Sequence, residues 1–216
     1  MTTETKYTKY LTCSETAKLI RKQLNANFPG VKFSVRSKTY SGGASIDIGW
    51  NYGPTTNEVD RIVKFFEGSS FDGMNDLKSP QEAWLLPNGE AVLAYRPESY
   101  GGSVPGYKSN APSPEAVRVS FMADFVFTSR QFGTWQEETA LRDKVAHDMF
   151  NLQGYAYLGL NTMGLYGEHD TRTAKQHAHR LLNQTSFRPG ESYKGVRFVN
   201  DDERNVCDEP MVIIKC

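Results

Sequence analysis

The feature that most constrains this chain is a pair of alternating segments joined by glycines. Val31, Phe33 and Val35 alternate with Lys32, Ser34 and Arg36, and beyond Tyr40-Ser41-Gly42-Gly43 the residues Ala44, Ile46, Ile48 and Trp50 alternate with Ser45, Asp47 and Gly49. A period of two sends one row of each strand to a core and the other to water, so the segment reads as a hairpin of 31–37 against 44–50. Such a hairpin needs amphipathic partners for its apolar face. Thr12 with Glu15 has capping-box spacing ahead of the stripe Cys13, Ala17, Ile20, Leu24 and Phe28, which Pro29-Gly30 terminates. Gly53-Pro54 breaks the second strand, and Thr55 with Glu58 precedes a second stripe of Val59, Ile62, Val63 and Phe66. The first seventy residues therefore read α-β-β-α.

Downstream, Ser69 to Pro80 is turn-rich, Ala91 to Arg96 is a short strand, and Pro97 to Pro114 is a long irregular loop. Val117, Val119, Phe121, Ala123, Phe125 and Phe127 alternate through what reads as the longest strand, central in the sheet. Thr134 caps a helix carrying Trp135, Leu141, Val145, Met149 and Leu152 on one side. Thr171 to Leu182 reads as a helix, with closing strands at 196–199 and 211–214. The expected fold is α+β: an antiparallel sheet with helices packed mainly on one face, in the order α-β-β-α-β-β-α, followed by a small α/β tail. The expected organisation is a flexible lead over 1–11, a domain over 12–153 and a C-terminal extension over 154–216, with a weak boundary near Gly154.

Charge narrows the function. The 216 residues carry 25 Lys and Arg against 25 Asp and Glu, which argues against a protein that coats DNA by bulk charge. That balance is unevenly laid out. Residues 1–50 carry eight basic against three acidic side chains, and residues 51–90 three against seven. No apolar run is long enough for a membrane helix and Met1 to Tyr10 are polar, so a soluble cytoplasmic protein without a membrane partner is expected. Cys13, Cys207 and Cys216, odd in number and irregularly spaced, fit reduced thiols.

The outward row of the hairpin offers Lys32, Arg36 and Lys38 with Tyr40 at its turn, cations for phosphates beside one stacking ring. Lys18, Arg21 and Lys22 occupy the wet face of the first helix and complete a candidate nucleic-acid surface. The alternative is a solvated face that keeps the hairpin soluble. Tyr100, Tyr107 and Lys108 make the long loop a candidate partner-binding surface, the alternative being a flexible insertion. Ser41 to Ser45 reads as a hairpin turn rather than a phosphate cradle, because phosphate loops lead from a strand into a helix. Phe71 to Asp76 lacks calcium-loop spacing, so Asp72 is read as capping its own turn.

His169, Asp170, His177, His179 and Cys207 lie in the last third without metal-ligand spacing, and His147 stands apart. His177 and His179 diverge by about 200° on a helix. No nucleophile elbow, Walker loop or paired-cysteine motif occurs, so no metal, cofactor or catalytic residue is expected. Asp201-Asp202-Glu203 with Asp208 and Glu209 would be a minor phosphate-mimicking tail.

The strings Phe28-Pro29-Gly30-Val31-Lys32-Phe33-Ser34-Val35-Arg36, Tyr40-Ser41-Gly42-Gly43-Ala44-Ser45-Ile46, Gly53-Pro54, Phe66-Glu67-Gly68-Ser69-Ser70-Phe71-Asp72-Gly73-Met74 and Ala123 to Arg130 resemble the large polyvalent protein-associated domain 29 family, over about Thr12 to Leu152. The resemblance implies a module encoded by phages and conjugative plasmids, often delivered with invading DNA, and carries no catalytic residues with it. The resulting expectation is a non-enzymatic accessory protein in the cytoplasm of the bacterial host. It would bind DNA or RNA, or a host defence protein, during invasion. The alternative is a small enzyme on nucleic acid or a nucleotide, with the loop after Arg96 as a lid and Asp72, Asp124 or Arg130 in its pocket.

Overall fold

A computed structural model describes residues 8–153, 171–198 and 211–216. It is a mixed α+β structure that divides into two compact units, one of 1–50 with 56–129 and one of 51–55 with 130–216. Among the described residues there are four α-helices and several small sheets.

In the first unit, β1 (Lys9–Leu11) leads into α1 (Cys13–Asn27), followed by β2 (Phe33–Tyr40), β3 (Gly43–Asn51) and α2 (Thr56–Val63), which tightens into a 3-10 turn at Lys64–Phe66. The capping box forms as the spacing demands. The Glu15 N–H donates to Thr12 Oγ1 at 3.3 Å, and the Thr12 N–H donates to the Glu15 carboxylate at 2.8 Å. The hairpin pairs Val35 with Ile48 and Arg36 with Asp47 in antiparallel register. Val35, Ala44, Ile46, Ile48 and Trp50 are buried, and they share one core with Ala17, Ile20 and Leu24 of α1 and Val59 and Val63 of α2.

Four expectations are corrected here. Lys9–Leu11 is not part of a flexible lead, because it adds to a five-stranded sheet by pairing in parallel with Val119–Phe121. The sheets are for that reason mixed rather than purely antiparallel. Ser69 to Pro80 is a hairpin, β4 (Ser69–Asp72) on β5 (Leu77–Pro80), whose strands are too short and too polar to show a period. The 117–127 segment is two strands, β9 (Val117–Phe121) and β10 (Phe125–Gln131), in different sheets. The five-stranded sheet runs β1-β9-β6-β7-β8, with β6 at Glu82–Leu85, β7 at Ala91–Arg96 and β8 at Tyr107–Lys108. The three-stranded sheet runs β10-β3-β2.

The chain turns from one sheet to the other at Met122-Ala123-Asp124. The Met122 N–H donates to Leu11 O and the Asp124 N–H to Ala44 O, both at 2.8 Å. The alternation changes phase across this bend. Val119, Phe121 and Ala123 are buried, but beyond Asp124 it is Val126 that enters the core, and Phe127 is exposed.

The second unit contains α3 (Trp135–Gln153), α4 (Thr171–Gln184), β11 (Tyr193–Phe198) and β12 (Met211–Lys215), the last two antiparallel. Its core gathers Phe132, Val145, Met149, Ala178, Leu182, Phe187 and Ile213. Trp135, expected on the apolar side of α3, is 74% exposed. The expected boundary at Gly154, together with His169, Asp170, Cys207 and the acidic residues 201–209, lies outside the described residues.

Candidate nucleic-acid interface

One face of the three-stranded sheet is committed to the core; the other exposes side chains of the outer strands β2 and β10, while Ser45 of the central strand is buried. On β2 and β3 the inward row is Phe33, Val35, Ile46, Ile48 and Trp50, so strand alternation turns Arg36, Lys38 and Tyr40 to the opposite face, with Gly43, Ser45, Asp47 and Gly49 of β3 beside them. Arg36 and Lys38 are exposed and Tyr40 is 51% exposed. Lys38 pairs with Asp47 across the strands at 2.8 Å, an ion pair open to water on both sides. Lys32 keeps the same parity just ahead of β2 and is exposed. Among the described residues neither Lys32 nor Arg36 is held in an ion pair.

The helix cations do not join this row as a block. Arg21 reaches the free edge of β2 and donates to Val35 O. The Lys22 ammonium lies toward Gly89, in the turn where Gln23 donates to Asn88 O at 2.9 Å. Lys18 is exposed on the same helix. The expected surface thus resolves into a strand row of Lys32, Arg36, Lys38 and Tyr40 and a separate helix flank.

Sequence reasoning missed the other side of the open face. Val126 of β10 is fully buried in the core with Ile46 and Ile48, so its neighbours Phe125 and Phe127 point to the face that carries Arg36 and Lys38. Phe127 is 54% exposed and lies 6.3 Å from Phe125, which meets the 51% exposed Phe71 of β4 edge to face at 6.5 Å. The period carries no signal of this row, since Asp124 falls on the polar row and leaves the apolar alternation unbroken.

Asp124 organises the margin of that face. Its Oδ2 accepts the Ala44 N–H at 3.0 Å, and its Oδ1 accepts the Ser69 hydroxyl at 2.9 Å and the Lys78 ammonium at 3.1 Å. Lys78 also donates to Gly42 O at 3.3 Å. Burial pushes the Asp124 carboxyl up, but the bonds from Ala44, Lys78 and Ser69 outweigh it and hold the group below the usual carboxylate range. A side chain at Gly43 would meet this carboxylate at 2.3 Å, so the second turn glycine is a packing requirement. The turn serves as a hairpin connection, as its placement between strands implied.

The long loop is braced rather than loose. Asp72 caps its own turn, accepting the Met74 N–H at 2.9 Å, and it also accepts the Asn75 amide at 2.6 Å and the Ser103 hydroxyl at 2.5 Å. Those side-chain bonds, Ser103 first, hold its carboxyl well below the ordinary range. Asn75 reaches on to Tyr100 O at 2.6 Å, and Ser99 accepts the Val104 N–H at 2.8 Å. Tyr107 and Lys108 form β8, paired with Arg96 and Tyr95. Tyr100 stands 86% exposed at the tip of this framework.

Arg130 belongs to the second unit. Its guanidinium donates to Tyr52 O, Gly53 O, Leu182 O and Thr185 O at 2.8–3.2 Å and lies 4.6 Å from the Phe132 ring. The three residues offered for an enzymatic pocket, Asp72, Asp124 and Arg130, are therefore each engaged in holding backbone or loops. Among the described residues no group of three or more His, Cys, Asp or Glu side chains could hold a metal ion. No described helix is long and apolar enough to cross a membrane.

The three-stranded sheet thus carries a cationic row on β2 and an aromatic row on β10. The profile of the large polyvalent protein associated domain 29 family matches residues 11–133, more than half of the chain, and the chain belongs to that family. No curated protein and no solved structure matches it.

Proposed function

We propose that this protein is a non-enzymatic accessory factor of a phage or conjugative plasmid that binds nucleic acid in the cytoplasm of the invaded cell. The observation that carries the reading is the row Lys32, Arg36, Lys38 and Tyr40, exposed on one face of an edge strand, with Lys32 and Arg36 in no ion pair among the described residues. An edge strand flanked by small residues on β3 leaves room for a strand of nucleic acid to lie along it. Membership of the family supports the mobile-element context.

The test is a salt series of fluorescence anisotropy with labelled DNA and RNA, comparing the intact chain with a Lys32→Ala, Arg36→Ala, Lys38→Ala variant. Binding at low salt that weakens at least tenfold in the variant, with an unchanged melting temperature, is expected. An intact chain that binds no DNA or RNA at low salt removes the reading.

A further inference from the structure

The open face has two sides, and the cationic row occupies only one. Arg36, Lys38 and Tyr40 lie on β2; Phe125 and Phe127 lie on β10, two strands away in the order β10-β3-β2. At the usual strand spacing the two rows are about 10 Å apart. Between them β3 presents Gly43, Ser45, Asp47 and Gly49, three of which have little or no side chain to obstruct the face. Phe71 extends the aromatic row beyond β10 through its edge contact with Phe125.

The exposed parts of these rings are costly in water, although Phe71 and Phe127 each pack on the half-buried Phe125. Burying a phenylalanine contributes on the order of 1.5–3 kcal/mol, yet Phe71 and Phe127 keep about half their surface in solvent. The face otherwise carries Arg36, Lys38 and the Asp47 carboxylate paired with Lys38, which suits neither an apolar protein pocket nor a membrane as its sole occupant. A ligand that is anionic along one edge and flat and apolar along the other matches both rows, and an unpaired nucleic-acid strand has that construction. Duplex DNA does not, because its bases are stacked on one another and shielded from a flat sheet.

Resting on the nucleic-acid reading, we infer that Phe71, Phe125 and Phe127 form a stacking row for unpaired bases, so that the open face selects single strands over duplex. Every base has a π-face, so the row recognises strandedness and not sequence.

The experiment uses the full chain and three labelled probes of equal length: a thymidine strand, an abasic strand with the same number of phosphates, and a duplex. The intact protein is expected to bind the thymidine strand at least tenfold more tightly than either of the other two. A Phe71→Ala, Phe127→Ala variant should lose about tenfold or more toward the thymidine strand, leaving affinity for the abasic strand and the salt slope unchanged. If alanine lowers the melting temperature, a Phe71→Leu, Phe127→Leu variant retains apolar bulk without the flat ring and should show the same selective loss. Equal binding of thymidine and abasic strands by the intact protein, or equal loss for both in the variants, overturns the stacking row and leaves the cationic reading standing. Absence of binding to all three probes overturns both.

Discussion

Asp124 shows how much of this fold rests on single polar side chains. Its carboxylate joins the Gly43-Ala44 turn, the start of β4 and Lys78 of β5. Gly68 makes a related demand, since a Cβ there would fall 1.7 Å from Phe121 O, closer than any relaxation of an exposed side chain could relieve. Both residues sit in the strings that resemble the family, and both serve architecture. Replacing Asp124 by Ala strands the Ala44 N–H and the Ser69 hydroxyl, and should lower stability by about 1–3 kcal/mol in urea unfolding. The pH dependence has a definite sign. Because Asp124 and Asp72 titrate below their unfolded values, their contribution is complete above the ordinary carboxylate pKa of about 4 and is lost as pH falls through the lower folded values. Melting temperature should therefore drop on acidification below about pH 4, and Asp124→Asn should flatten that part of the curve.

At the level of elements, what was legible followed from periodicity and capping. The Thr12–Glu15 box, the α1 stripe and the β2–β3 hairpin were all readable because local chemistry and core burial agree in them. The β9–β10 break was not, because the apolar alternation runs through Asp124 unbroken while the chain changes sheets there and the buried row shifts by one residue. That shift turned Phe125 and Phe127 from expected core residues into half of the candidate site, and no period in the sequence reports it. The strands β1 and β4 were illegible for another reason: both are short, β4 is too polar to show a period, and β1 owes its state to a partner far along the chain. Helix α4 illustrates the same dependence at a terminus. It has no basic residue in its last turn, and Arg130 supplies the cation from another element by donating to Leu182 O and Thr185 O. Arg130→Met should destabilise the second unit by about 1.5–3 kcal/mol, seen as faster hydrogen exchange at Ala178 to Leu182.

At the scale of the whole molecule, the family profile covers the first compact unit almost entirely and ends just inside the second, so the open face lies wholly within the matched region. Equal numbers of acidic and basic side chains mean that the protein as a body contributes no attraction for a polyanion. Whatever affinity exists must come from the few cations on the face. Lys32, Arg36 and Lys38 are the three that share it, and Lys38 must exchange Asp47 for a phosphate. At about 0.7 in slope per phosphate contact on a single strand, the logarithm of affinity should fall with the logarithm of salt concentration with a slope near −2, or roughly 16-fold between 50 and 200 mM salt. Such shallow dependence separates this design from one that depends on bulk charge, since a stacking row contributes affinity that salt does not screen. A slope steeper than about −4 would require additional cations, and the helix flank of Lys18, Arg21 and Lys22 is one reserve. Measuring the slope for the intact chain and for a Lys18→Ala, Lys22→Ala variant decides between them: an unchanged slope confines the contact to the sheet, and a slope reduced by more than about 1 extends it onto α1.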